Sequence, residues 1–171
     1  MNIAVEETAK MYKIGSEKTI VLSSEVKEKF EQYRIKLPRK ESGGILLGQL
    51  CINDCIIVNE ITEPSQMDNA GYFFFERDKT TAQKIIKERW KRSDGKQIYL
   101  GEWHTHNEPN PKPSRQDKKM IFYLLQASKM EIDFLITIIV GINSYYVGLQ
   151  TNKELQSLKI SNNPFVYNIR K

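Results

Sequence analysis

Histidine and cysteine are scarce in this 171-residue chain, with two of each. The cysteines, Cys51 and Cys55, are too few for the disulfide framework of a small secreted domain. They flank Asn53-Asp54, which reads as a hairpin turn between two apolar runs, and a zinc ribbon would need a second cysteine pair. Buried thiols acting as small hydrophobes are therefore expected. No apolar run approaches the ~20 residues of a membrane-spanning helix. The first residues, Met1 to Glu7, lack the basic start and apolar stretch of a signal peptide. A cytoplasmic location without membrane attachment is the expectation. Internal repeats, low-complexity tracts and long linkers are also missing, which leaves a single domain able to bury a real core.

What is present is ordinary for a globular protein: 40% hydrophobic and 27% charged residues, with a net charge of +5. Positive charge concentrates in Lys84, Lys87, Arg89, Lys91, Arg92 and Lys96. No nucleic-acid-binding motif accompanies it, so a solvated helix face is expected and a nucleic-acid partner is not.

Along the chain, residues 1–10 read as a flexible N-terminus, 11–150 as the domain and 151–171 as an extension. Alternation over 11–22 predicts strand with a turn at Gly15-Ser16. A helix capped by Ser23 or Ser24 carries Val26, Phe30, Tyr33 and Leu37 on one face and stops at Pro38. Strands at 44–52 and 55–62 follow, then a polar loop at 64–71. The aromatic run Tyr72-Phe73-Phe74-Phe75 predicts a short strand packed inside. A helix from Asp78 to about Arg92 turns Ala82, Ile85, Ile86 and Trp90 inward. A strand from Ile98 to His104, a helix from Ser114 to about Ala127 and a hairpin at 132–141 and 144–150 complete the body. Residues 151–171 suggest a short helix and a tail interrupted by Pro164. The sum is an α/β domain, a mixed sheet flanked by helices.

The two histidines sit together in Trp103-His104-Thr105-His106, and Ser114-Arg115-Gln116-Asp117 follows. Two histidines placed at random in such a chain would fall two residues apart roughly one time in a hundred, so the pairing carries information. Side chains two apart on a strand point the same way, so both imidazoles can converge on one point. Asp117, one turn into the next helix, can reach back to that point. Pro109, Pro111 and Pro113 stiffen the connection. Two imidazoles and a carboxylate suit zinc and leave a fourth position open for water. Ser114 and Asp117 equally form a helix capping box, and at this point both readings stand. Glu41 reads as a solvated carboxylate or a general base. Glu102, two residues before His104, is a competitor or an acceptor for an imidazole N–H. Gly43-Gly44 marks either a bulge or a place where a substrate backbone can approach closely.

The pattern H-T-H, seven residues, S-x-x-D, with Glu41-Ser42-Gly43-Gly44-Ile45-Leu46-Leu47-Gly48 upstream, resembles the signature of the JAMM (MPN+) metallopeptidases. The resemblance covers roughly residues 15–150. It implies a single MPN (JAB-type, cytidine-deaminase-like) fold. It also implies one zinc ion held by His104, His106 and Asp117, with Glu41 as general base and Ser114 steadying the oxyanion. The substrate implied is a protein whose flexible C-terminal tail is bound extended, along a strand edge near the metal.

The compact form with Gly101-Glu102-Trp103-His104 is similar to bacterial JAB peptidases found with cGAS-like nucleotidyltransferases in CBASS anti-phage systems. That likeness implies a deubiquitinase-like isopeptidase acting on a nucleotidyltransferase conjugate. The alternatives are a JAB peptidase processing another ubiquitin-like or sulfur-carrier protein, or a silent MPN scaffold. One departure is Asn107, where many relatives have proline.

Overall fold

Strand-forming runs rich in Ile, Leu and Val supply most of the core, and the computed structural model shows how they pair. It describes residues 10–14, 18–35, 40–52 and 54–161. In chain order the elements are β1 (Lys10–Ile14), β2 (Lys18–Leu22), α1 (Ser24–Ile35), β3 (Gly43–Leu50), β4 (Cys55–Ile61), β5 (Asn69–Ala70) and β6 (Phe75–Glu76). Then come α2 (Lys79–Arg92), β7 (Ile98–Thr105), α3 (Arg115–Ala127), β8 (Phe134–Val140), β9 (Tyr145–Thr151), β10 (Leu155–Ser157) and β11 (Lys159–Ser161).

Nine strands form one mixed sheet in the order β10-β9-β8-β7-β3-β4-β2-β1-β11, and β5 and β6 form a separate ribbon. The outer strands, β10 and β11, are separated in sequence only by Leu158. The sheet therefore curls until its two edges lie close, and buried Leu158, whose N–H donates to the Val147 carbonyl at 2.8 Å, bridges the seam. The last segment is thus strand as far as residue 161, not the expected short helix, because backbone groups at both sheet edges find partners there. Pro164, Leu37, Pro38, residues 1–9 and the turn at Gly15-Ser16 lie outside the described residues.

Alternation sends the strand side chains to two cores. One holds Leu46, Leu100, Trp103 and Ile136 against Val26 and Phe30 of α1. The other holds Ile45, Leu47, Tyr99 and Leu135 against Ala82 of α2 and Ile121 of α3. Each fully buried aliphatic side chain contributes about 1.5–3 kcal/mol. Ser23 does cap α1, its Oγ accepting from the Val26 N–H at 3.3 Å. Asp78 caps α2 by accepting from Thr81 N–H, and Ser93 closes it before Asp94 and Gly95, both at positive φ. Cys51 and Cys55 are both buried, as the sequence suggested.

Two further expectations fail, and one of two alternatives drops out. Trp90 is 56% exposed at the end of α2 instead of facing inward. The aromatic run does not pack as a strand. Tyr72 is 61% exposed and Phe73 90%, while Phe75 alone turns toward β3, its ring beside Gly43. The interior of the sheet is already filled by aliphatic strands, so no slot remains for four consecutive aromatics. Gly43-Gly44 is not a bulge. The β3–β7 register slips further along, between Leu46 and Leu47, where Leu100 is the extra residue. A Cβ on Gly44 would meet the Thr62 carbonyl at 2.4 Å, and one on Gly43 the Trp103 carbonyl at 2.4 Å. The close approach is to the protein's own backbone.

Candidate metal centre

Antiparallel pairing of β3 with β7 places Gly43 opposite His104. Continuing that register sets Ser42 opposite Thr105 and Glu41 opposite His106. Thr105, between the histidines, locks the arrangement: its Oγ1 accepts from Ser42 N–H at 2.9 Å, and its own N–H donates to the Ser42 carbonyl at 2.8 Å. Glu41 N–H donates to the Gly71 carbonyl at 2.8 Å, which fixes the approach to β3 from the other side. His106 N–H is held by the Val140 carbonyl at the end of β8. The proline-rich connection is fastened to the β8–β9 turn, with Ile142 N–H donating to the Glu108 carbonyl and Asn143 N–H to the Pro109 carbonyl, both at 2.8 Å.

The fastened loop delivers α3 with a capping box. Ser114 Oγ accepts from Asp117 N–H at 3.1 Å, and Asp117 Oδ2 accepts from Ser114 N–H at 2.6 Å. The same carboxylate reaches the histidines, with Asp117 Oδ1 lying 3.3 Å from His104 Nε2 and Oδ2 3.3 Å from His106 Nε2. Cap and cluster are two uses of one side chain. The two Nε2 atoms lie 3.1 Å apart. Glu41, 8% exposed, brings Oε1 to 3.8 Å from His106 Nε2. The structure therefore brings His104, His106, Asp117 and Glu41 together, with Ser114 exposed at the helix cap beside them. Glu41, His104 and His106 could also hold a cation among themselves.

The edges can be compared with a metal. Tetrahedral zinc with bonds of about 2.0–2.1 Å has ligand–ligand separations of about 3.3–3.4 Å. The His104–His106, His104–Asp117 and His106–Asp117 separations of 3.1–3.3 Å fit that geometry before any adjustment. Glu41 at 3.8 Å lies further out. The residues fit zinc.

Electrostatics separate the two carboxylates. Burial pushes the Glu41 carboxyl up to about 7; the His106 imidazole pulls it down, while Asp117 and Glu108 add to the rise. Burial also works to raise Asp117, but its contacts with His104, His106 and Ser114 hold it well below the usual carboxylate range. Burial lowers His106, and Asp117, Glu41 and Glu108 together outweigh it, so its pKa is raised. Among the described residues His106 Nδ1, which is buried, has no hydrogen-bond partner, and Glu108 Oε2 is 3.8 Å from it.

Glu102 does not serve an imidazole. Its carboxylate takes both oxygens to Arg77 Nε, at 2.8 and 2.9 Å, and accepts from the Tyr99 hydroxyl. The extra residue Leu100 puts Tyr99 and Glu102 on one face although they are three apart. Sequence reading did not find Arg77, Tyr99 or Glu108. Glu108 could have been suspected from standing two residues after His106, whereas nothing in the sequence pairs Arg77 with Glu102.

The family model described as prokaryotic homologs of the JAB domain matches residues 24–158. The chain belongs to the JAB family. Among curated relatives of this JAB domain, one from Escherichia coli (strain TW11681) is 31% identical over 141 residues, covering 82% of this chain and 87% of the relative. One from Pseudomonas aeruginosa (strain BWHPSA011 / Pa011) is 35% identical over 109 residues, covering 64% and 68%. Both are named CD-NTase/cGAS isopeptidase. Among solved structures, protein DSY2949 from Desulfitobacterium hafniense has the same fold, with a TM-score of 0.55, 20% identity and coverage of 80% of this chain and 87% of that one.

Proposed function

We propose that this JAB domain is a zinc-dependent isopeptidase. Its reaction is cleavage of the amide bond after the C-terminal residue of a conjugated protein, and its substrate a conjugate of a cGAS-like nucleotidyltransferase of the CBASS type. The observation that carries the reading is the meeting of His104, His106 and Asp117 at 3.1–3.3 Å with a second, protonatable carboxylate, Glu41, just outside them. The names of the curated relatives support the choice of bond and of substrate.

In this reading His104, His106 and Asp117 hold the metal. Bound there, zinc supplies a Lewis acid that polarises the scissile carbonyl and makes water easier to deprotonate near neutral pH. Glu41 takes a proton from the attacking water and delivers it to the lysine nitrogen as the C–N bond breaks, so one water yields a carboxylate tail and a free amine. A carboxyl whose burial sets it near neutrality suits both halves of that transfer. Ser114 Oγ accepts from the Asp117 N–H and retains its own proton, which it donates to the oxygen that becomes negative in the tetrahedral stage. Residues 11–150 form the catalytic unit, and residues 155–161 complete its sheet.

The test is direct. The purified protein, loaded with zinc and checked for metal content, is given a nucleotidyltransferase whose C-terminus is joined through an isopeptide bond to a lysine peptide. Release of the intact tail with stoichiometric zinc is expected. Cleavage of a ubiquitin-like fusion but not of this conjugate would redirect the substrate assignment. Failure to hold zinc would overturn the enzyme assignment.

A further inference from the structure

A cavity of about 710 Å³ opens beside the cluster, with His104 and Asp117 in its wall. From there it runs between α2 and α3, past Phe74 and Phe75 on one rim and Met120, Tyr123 and Leu124 on the other. The lysine side of an isopeptide reaches the scissile carbonyl through a thin methylene stem. The other side brings a whole main chain, so a cavity of this size fits the tail that ends at the carbonyl.

The charges lining the cavity are unequal. Arg77, Lys79, Lys87 and Lys129 line it, against Glu76, Glu102 and Asp117. Asp117 is committed to the histidines and Glu102 to Arg77. Lys79, Lys87 and Lys129 then face a single carboxylate, Glu76. Among the described residues none of these three lysines is in an ion pair.

Arg77 is the unusual member. Its side chain and that of Glu102 both line the cavity and are only 16% and 14% exposed, with the guanidinium near the Tyr99 ring. Its Nε donates to both Glu102 oxygens, and the guanidinium also interacts with the Tyr99 side chain. The terminal nitrogens place no donor on Glu102, and their fork matches a carboxylate.

We infer that this cavity selects an acidic side chain in the tail of the substrate, received by the terminal nitrogens of Arg77 with Lys79, Lys87 and Lys129 drawing the tail in. The inference rests on the isopeptidase reading and names what that site prefers. Glu102 and Tyr99 are positioning residues here, holding Arg77 at Nε so that its outer edge faces the cavity.

The experiment uses the zinc-loaded full chain and a set of isopeptide-linked fluorogenic peptides. These share one lysine side and carry Asp, Asn or Lys at each of the four tail positions before the scissile bond. At one position the Asp tail is expected to exceed the Asn tail in kcat/KM by roughly 10-fold or more, the size of a charge-assisted hydrogen bond, mostly through KM. Added salt should shrink the advantage of Asp over Lys. Arg77→Lys, which keeps the charge beside Glu102 but loses the fork, should reduce the Asp-to-Asn ratio toward one. Lys87→Glu with Lys129→Glu, both on the exposed rim, should move the preference toward the Lys tail. Equal kcat/KM for Asp, Asn and Lys tails at every position, with cleavage proceeding, overturns the acidic-tail inference and leaves the isopeptidase reading intact. No cleavage of any tail by metal-loaded protein overturns that reading, and the inference with it.

Discussion

Glu41 and Asp117 are both carboxylates at the cluster, and their surroundings set them to different tasks. Asp117 is bonded from two sides and stays ionised, whereas burial of Glu41 favours its protonated form. Replacing Glu41 with Gln should keep zinc content while lowering kcat by about 10²-fold or more, as removal of a general base does; metal analysis beside single-turnover cleavage checks this. The same group gives a stability signature in metal-free protein. Its folded pKa is raised by burial to about 7 from the ordinary 4.5. The stability it contributes is therefore fully present below about pH 4.5 and is lost as pH rises through about 7. Metal-free Glu41→Gln should then match wild type near pH 4.5 and exceed it at pH 8 by about 1–2 kcal/mol, discounted for partial solvation. Urea unfolding at the two pH values measures it, and a deficit of the mutant at pH 8 would contradict the burial argument. Glu108 offers a third test. A neutral imidazole that binds metal through Nε2 carries its proton on Nδ1, and the buried Nδ1 of His106 has Glu108 as its near carboxylate. Glu108→Ala should weaken zinc binding by about 10-fold or more, read by competition with a chelator.

At the scale of elements, the site depends on a strand pair whose spacing tolerates no side chain at its start. The added methyl of Gly43→Ala would lie 2.4 Å from the Trp103 carbonyl and 2.5 Å from the Phe75 ring. Since Trp103 adjoins His104, the strand must shift to make room. Such overpacking costs about 1–3 kcal/mol, and the shift should also weaken metal binding. A Tm decrease without loss of zinc affinity would show that β7 absorbs the methyl elsewhere. Gly101 has a related duty further along β7. At φ +151° it passes the Ile136 backbone so closely that a Cβ would meet its carbonyl at 1.8 Å. The local slip there turns Tyr99 and Glu102 to one face. The helix α3 contributes through its cap, because the box that starts the helix also aims the carboxylate.

For the molecule as a whole, the near closure of the sheet makes the end of the described chain structural. Leu158 is buried between the two edge strands. Leu158→Ala is expected to cost about 2–3 kcal/mol and to lower Tm while leaving kcat on a short peptide conjugate nearly unchanged, since the seam contains none of the cluster residues. An equal loss of activity would mean that the seam and the metal centre are coupled. No helix among the described residues is long and apolar enough to cross a membrane. The exposed aromatics Tyr72 and Phe73, unexpected from their composition, stand near the cavity rim formed by Phe74 and Phe75.

Local chemistry was enough to read much of this from the chain. The spacing of His104 and His106, the S-x-x-D cap and the strand periodicities are short-range patterns, and short-range geometry obeys them. Mixed-sheet architecture and the three main helices followed from the same patterns, while the family came from the likeness of the motif to a known signature. Tertiary structure alone decided which partners distant residues would meet. The register of β3 on β7 brought Glu41 to His106, and one extra residue in β7 turned Glu102 away from the imidazoles toward Arg77. Curling of the sheet made strands of a segment that looked helical, and a full interior left Tyr72 and Phe73 outside. The physical reason is common to all four: pairing and exclusion depend on space already taken by other parts of the chain, which no local window of residues contains.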